Sequence, residues 1–212
     1  EDAEIFYKEL VWREFSYHLL YHFPHLVDTN LQKKFNNFKW LDNQDHLKSW
    51  QKGMTGYPII DAGMRQLYET GYMHNRVRMI VGSFLVKNLM IHWKYGQEWF
   101  WDTLVDADIA SNSASWQWVA GTGADAAPYF RIFNPVTQSK KFDPNGDYIK
   151  KYIPVLKYIP SKNIHLPSEL DSESLRSYGV ELGHDYPKPI VDLSITRERA
   201  LDAFKELSKA TS

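Results

Sequence analysis

The stretch Pro58–Trp93, PIIDAGMRQLYETGYMHNRVRMIVGSFLVKNLMIHW, decides the fold. Pro58 stands at a first-turn position and Gly71 at a stop, the order in which these residues bracket a helix. From Asn75 to Trp93 the residues are apolar on more than one face, which predicts a long, central, buried helix. Working outward, Glu1–Phe23 spaces apolar residues three and four apart and is stopped by Pro24. HLKSWQKG (46–53) reads as a short helix ended by Gly53, and GQEWFWDTLV (96–105) as another. After Gly121, short turn-rich segments around Pro128, Pro135 and DPNGD precede one more helix before IPVLKYIP. Residues 156–192 are punctuated by Pro and Ser and read as a surface-wrapping segment. SITRERALDAFKEL then starts a terminal helix at a Ser194 cap. No run alternates with period two, and there is no internal repeat. The class is all-α, with a helical core over 1–155 and a wrapping segment plus terminal helix of the same domain over 156–212.

Composition excludes several kinds of function. Of 212 residues, 25 are basic and 26 acidic, a balance unlike that of a polybasic binder, although a local basic groove stays compatible with it. The absence of cysteine removes disulfides, zinc–thiolate sites and thiol catalysis together, and fits a reducing interior. Lys87 and Asn88 cut the longest apolar run, so no segment reads as membrane-spanning. The first residues, EDAEIFYKEL, begin inside a helix pattern with no signal sequence, as a piece of a longer protein would.

The chemistry concentrates in DADIASNSASWQW, Asp106–Trp118. Two carboxylates two residues apart repel one another when buried, unless a cation or hydrogen-bond donors compensate. Arg78, at the entrance of the predicted buried helix, is the obvious partner for Asp106. Asp108 is then left to accept hydrogen bonds. Taken alone, the Asp pair reads as helix capping; taken with Arg78, Asn112 and the aromatics, it reads as a ligand site. Glu9, Trp12 and Arg13 share one helix face, which is either an ordinary amphipathic face with an ion pair or part of a site. Of the eight tryptophans, Trp50, Trp99 and Trp101 read as core filler. Trp12 and Trp118 accompany polar groups suited to clamping a base-like ring. His18, His22 and His25 read as surface or packing residues.

LVWREFSYHLL, the run from Trp50 to Trp93, and the run from Asp106 to Leu156 resemble the photolyase/cryptochrome family. Within it, the likeness reads as closest to class I cyclobutane pyrimidine dimer photolyases. It runs from about Glu4 to Pro154, with a weaker tail, and its long blocks are far more specific than any short motif. The resemblance implies a helical domain that binds FAD, with reduced FAD the active form. It places Arg13, Asn75, Arg78, Asp106, Ala107, Asp108 and Asn112 among the flavin contacts, with Asn112 beside flavin N5. It matches Trp116, Trp93 and Trp40 to three tryptophans that relay an electron inward from the surface. Glu9, Trp12, Asn75, Arg76, Met79, Trp118 and Gln138 match residues that line the lesion pocket or touch DNA.

The implied activity is light-driven repair of UV-damaged DNA. An electron from excited, reduced flavin splits a cyclobutane pyrimidine dimer, in a carbon–carbon lyase that flips its lesion out of the duplex. Glu9 can hold the pyrimidine and steady the charge that develops on it. No nucleophile or metal is called for. The alternative within the family is a cryptochrome-like blue-light signalling flavoprotein, and a helical interaction module without flavin is a third reading. Asn112 favours repair, because the resemblance assigns plant cryptochromes an Asp and animal ones a Cys at that place. YMHNRVRM (72–79) lacks the paired histidines of (6-4) photolyases. The family's antenna-chromophore domain and its pyrophosphate-binding segment map upstream of Glu1. The chain is thus expected to be the C-terminal portion of the FAD-binding domain, inactive by itself. The full-length protein is expected to be a monomeric, cytoplasmic, prokaryotic enzyme with an antenna chromophore, and to need neither metal nor membrane.

Overall fold

The computed structural model describes residues 2–124 and 131–210. Ten α-helices follow one another: α1 (Asp2–His22), α2 (Gln44–Gln51), α3 (Pro58–Thr70), α4 (Asn75–Ser83), α5 (Trp93–Thr103), α6 (Ile109–Ala120), α7 (Pro135–Phe142), α8 (Asp147–Tyr152), α9 (Ser172–Ser177) and α10 (Leu193–Ala210). Among the described residues the only β pairing is an isolated bridge between Leu182 and Tyr186. The domain is all-α.

Local rules account for most helix ends. Pro24 stands two positions past the end of α1, Pro58 opens α3, and Gly71 closes α3 with φ 68°, a conformation that costs other residues a Cβ clash. Asn43 caps α2 by accepting from the His46 amide at 2.9 Å. Three expectations are corrected. The helix predicted over 75–93 is α4 continued by one π-helical turn, Phe84–Asn88, and broken at Met90, whose φ is 52°. Neither Gly nor Pro marks this break. Instead, the Met90 carbonyl accepts from the Leu41 amide at 2.8 Å, and His92 caps α5 by accepting from the Lys94 amide at 3.1 Å. Pro135, expected in a turn-rich segment, opens α7, with Asn134 as its cap. The last helix begins at Leu193, and Asp192, not Ser194, accepts from its first turn, at the Ile195 amide.

The main core lies between α2, α3, α4, α5 and α6, where Trp50, Met64, Leu67, Phe84, Leu85 and Trp93 are fully enclosed. Within that core α6 packs against α4 and α5, and it also meets α1. A second apolar cluster, from Ile149 to Tyr186, seats the C-terminal wrap on Ala62 of α3, and a third joins Ala200 and Leu207 of α10 to Phe35, Phe38 and Met90. Trp50 and Trp99 contribute to the core as read from the sequence, whereas Trp101 is 51% exposed. The aromatics along α5, at 93, 95 and 99–101, cover too many faces to show which of them meets α6. Helix α1 buries only Ser16 and Leu19, leaving Ile5, Phe6, Tyr7 and Val11 exposed.

Lys87, on the π turn, is buried and donates to the Arg131 carbonyl at 2.7 Å. Burial pulls its ammonium down to about 7 from an ordinary 10.5. Between those values the unfolded chain holds a proton that the folded chain has released, so folding stability rises with pH across that window. Urea unfolding at about pH 7 and pH 9 is expected to show the increase, with Lys87→Met flattening it. Equal slopes in the two proteins would refute the assignment.

Candidate functional site

A cavity of about 490 Å³ opens between α1, α4 and α6, the last lining it from Ser111 to Val119. The short connection between α5 and α6 supplies its polar edge. There the Arg78 Nη2 reaches both oxygens of Asp106, at 2.8 and 3.1 Å, while its Nε donates to the Met73 carbonyl at 2.6 Å. Arg78 is thereby held at the mouth of α4 with its charge on Asp106. The Asp106 side chain is 52% exposed, so the two carboxylates are not a buried pair. The next residue, Ala107, carries nothing beyond Cβ and also lines the cavity.

Asp108 does two things at once. Its Oδ1 accepts from the Ser111 amide at 2.8 Å and caps α6, as the capping reading predicted. Its Oδ2 accepts from the Tyr17 hydroxyl of α1 at 2.6 Å. Partial burial pushes the Asp108 carboxyl up, but the Tyr17 and Ser111 donors outweigh it and hold the carboxyl below its usual range. Tyr17 answers by rising above its own, chiefly because it donates to that carboxylate. One turn further along α6, Asn112 Nδ2 donates to the Gln97 carbonyl at 3.0 Å. That bond turns the amide oxygen the other way, and among the described residues this oxygen accepts no hydrogen bond.

Aromatic residues make the walls. Glu9, Trp12 and Phe15 of α1 face Trp116 and Trp118 of α6 across the opening, with Asn75 and Met79 of α4 beside them. Trp12 is 52% exposed and Trp116 only 3%. Gly96 of α5 makes room for Trp116, since a Cβ there would lie 2.1 Å from the indole ring. Gly96→Ala is therefore expected to lower stability by about 1–3 kcal/mol through overpacking, read as a fall in Tm, and to displace Trp116. An unchanged Tm and an unchanged Trp116 environment would refute the close approach.

Three residues that the sequence grouped with this site lie elsewhere. Arg13 is exposed and points at Glu14, 3.4 Å away, outside the cavity. Arg76 stacks over Phe142 of α7, the helix that carries Gln138, and neither Arg76 nor Gln138 lines the cavity. Trp93 and Trp40 do not line the cavity either: Trp93 lies in the core, and Trp40 is only partly buried. Trp116 touches Phe100 and Trp50 at 4.9 and 6.2 Å between ring centroids. Trp93 is enclosed, and His92 lies between it and Trp40, at 5.2 and 5.1 Å. Burial, with Lys94 close by, holds His92 below its ordinary value, and its Nδ1 accepts the Lys94 amide, so the ring is neutral. Sequence reasoning missed Tyr17, Phe15, Ser111 and Ser115. Tyr17 lies in the quoted block LVWREFSYHLL, but nothing local signals that its hydroxyl meets Asp108.

The model of the FAD-binding domain of DNA photolyase matches residues 6–206. The chain belongs to this family. A deoxyribodipyrimidine photo-lyase of Agrobacterium fabrum is 57% identical over 210 residues, covering 99% of this chain and 44% of that protein. Among solved structures, a bacterial class III photolyase from Agrobacterium tumefaciens superposes with a TM-score of 0.95 at 57% identity, over 98% of this chain and 43% of that one. A cryptochrome of Synechocystis superposes with a TM-score of 0.90 at 38% identity, over 96% of this chain and 42% of that one. The chain thus spans less than half the length of the relatives it matches. The class I expectation is corrected: the 57% likeness is to a class III photolyase. The blocks on which class I was read line the cavity and the core, and such positions answer to packing and to a shared ligand rather than to class.

The residues present suit the flavin that the family implies. A carboxylate neutralised by Arg78, a side chain no larger than methyl at Ala107, a pinned Asp108 and an oriented amide oxygen on Asn112 offer acceptors and close approach along one edge. The opposite wall is aromatic. Among the described residues no cluster of metal-ligating side chains occurs, and no helix is long and apolar enough to cross a membrane.

Proposed function

We propose that this chain forms the flavin- and lesion-binding part of a light-dependent DNA repair enzyme, a deoxyribodipyrimidine photo-lyase that returns a cyclobutane pyrimidine dimer to two pyrimidines. The observation that carries the proposal is the cavity itself, with an acceptor edge at Asp106–Ala107–Asp108 and Asn112 and an aromatic mouth at Trp12 and Trp118. FAD, reduced and excited by light, would supply the electron that opens the cyclobutane ring.

This chain's own residues would do the rest. Asp108 and Asn112 accept hydrogen bonds from the flavin, the amide taking the N–H at N5. Arg78 holds Asp106 in place, and Asn75 lies between flavin and lesion. Trp12 and Trp118 clamp the extruded bases, as stacking on aromatic rings holds flipped nucleotides in other enzymes. Glu9 takes the imide or carbonyl edge of the pyrimidine. Arg76, Met79 and Gln138 belong to the rim that meets DNA. Trp40, Trp93 and Trp116 pass electrons inward to reduce the flavin. The proposal extends to a monomeric protein of the prokaryotic cytoplasm with an antenna chromophore, to which none of the cavity residues is assigned.

Repair is tested on a thymine-dimer oligonucleotide with FAD-loaded, full-length protein. Dimers are expected to disappear under blue light and to persist in the dark. Loss of dimers at equal rates in light and dark, or no loss in either, would overturn the proposal. The Synechocystis cryptochrome likeness supports a second reading, light signalling, against which Asn112 argues. An amide beside N5 has no proton to give, whereas a carboxyl has. Asn112→Asp is expected to make the illuminated flavin spectrum pH-dependent between about pH 6 and 9, where a buried carboxyl titrates. Coincident spectra across that range would refute the placement of residue 112.

A further inference from the structure

The indole N–H of Trp93 is fully buried and donates to the side-chain oxygen of Asn30 at 2.8 Å. Asn30 is itself 7% exposed, and its Nδ2 donates to Asn36 Oδ1 at 2.9 Å. An indole N–H can only donate, so the two bonds together fix which end of the Asn30 amide faces the ring. The loop that carries Asn30 is fastened to α6 by Gln117, the neighbour of Trp116. Gln117 Nε2 donates to the Leu26 and Thr29 carbonyls, both at 2.8 Å, and its Oε1 accepts from the Leu31 amide at 3.0 Å. One buried amide thus holds the partner of Trp93 to the helix that bears Trp116. The acid in that loop, Asp28, is engaged with Lys94 Nζ at 2.7 Å.

We propose that Asn30 is a positioning residue that keeps Trp93 protonated while it carries the electron vacancy between Trp116 and Trp40. The inference rests on the relay reading given above. When Trp93 gives one electron to oxidised Trp116, its ring becomes a radical cation, a far stronger acid than neutral indole. A carboxylate or water at the N–H would take the proton and trap the vacancy there as a neutral radical. An amide oxygen is too weak a base to take it, yet its hydrogen bond strengthens once the donor is charged, which eases the oxidation. The proton stays on Nε1, no bond breaks, and Trp93 is restored by one electron from Trp40. A thiol reductant in solution then refills Trp40.

The test compares variants of FAD-loaded, full-length protein by transient absorption, which distinguishes cationic from neutral tryptophan radicals. In Asn30→Asp the Trp93 signal is expected to change from cation to neutral radical, and oxidation of Trp40 to fall at least about tenfold. Asn30→Leu, the second variant should the carboxylate impair folding, is expected to lower the yield of oxidised Trp93 about tenfold, equal to some 1.4 kcal/mol. Asn30→Gln, which keeps an amide oxygen, is expected to retain the cation. In flavin-free, ¹⁵N-labelled protein, the Trp93 indole N–H is expected to exchange slowly, and at least about tenfold faster in Asn30→Leu. Trp93→Phe separates the two readings. If it photoreduces normally, the relay is wrong and the inference falls with it. If it is blocked while Asn30→Asp keeps both the cation signal and the Trp40 yield, the relay stands and the role of Asn30 is overturned. Unchanged N–H exchange in Asn30→Leu also overturns it.

Discussion

Photoreduction of the flavin is expected to fall at least about a hundredfold in Trp116→Phe, while repair by chemically pre-reduced protein stays within about twofold, a split that corresponds to some 2.7 kcal/mol on one step alone. Trp116 lines the cavity and is 3% exposed, set in the notch left by Gly96 and walled by Phe100 and Trp50. Phenylalanine fills most of that space but gives up an electron far less readily than indole. The change therefore removes a donor without removing the wall. Steady illumination with a thiol donor reads the first effect, and a dimer assay on dithionite-reduced protein reads the second. Normal photoreduction would sink the relay. Equal loss of both activities would instead mean that Trp116 holds the flavin or the lesion.

The largest stability effect is expected at Asp61, far from the cavity. Its carboxylate is fully buried and accepts from the Thr55 amide at 2.7 Å, the Thr55 hydroxyl at 2.6 Å, the Gly56 amide at 3.0 Å and the Tyr186 hydroxyl at 2.5 Å. Burial pushes this carboxyl up, and the donors from Thr55, Tyr186 and Gly56 pull it back. Asp61→Ala leaves four buried donors without their acceptor. A loss of about 3–5 kcal/mol follows, a large part of the 5–15 kcal/mol by which domains are usually stable. Urea unfolding measures it, and a loss below about 1 kcal/mol would show that water or rearrangement replaces the carboxylate. Ordinary photoreduction in the surviving folded fraction is expected, because Asp61 contacts no residue of the relay.

Legibility in the sequence followed the range of the interactions. Pro24, Pro58 and Gly71 act on their own backbone, so α1 and α3 end where a reader of the sequence would end them. Asp192 and Ser194 are both good capping residues two positions apart, and local preference does not choose between them. The break at Met90 has no local signal at all. It exists because the Leu41 amide and the start of α5 require it, and a non-glycine residue takes a positive φ as a result. Trp101 was misplaced because three consecutive aromatics, Trp99 to Trp101, with Tyr95 and Trp93 before them, give no clear face.

By itself the sequence determined the all-α class, many of the helix ends and the family that its long blocks resemble, and it grouped Arg78, Asp106, Asp108 and Asn112, which the structure brings to one cavity. These depend on neighbours within a turn or two, or on long blocks that can be matched as they stand. Only the tertiary structure decided which donor meets which acceptor. Tyr17 reaches Asp108 across 91 positions, Trp93 reaches Asn30 across 63, and Tyr186 reaches Asp61 across 125. A buried polar atom takes whatever partner the packing of helices brings within about 3 Å, and no spacing along the chain encodes that choice.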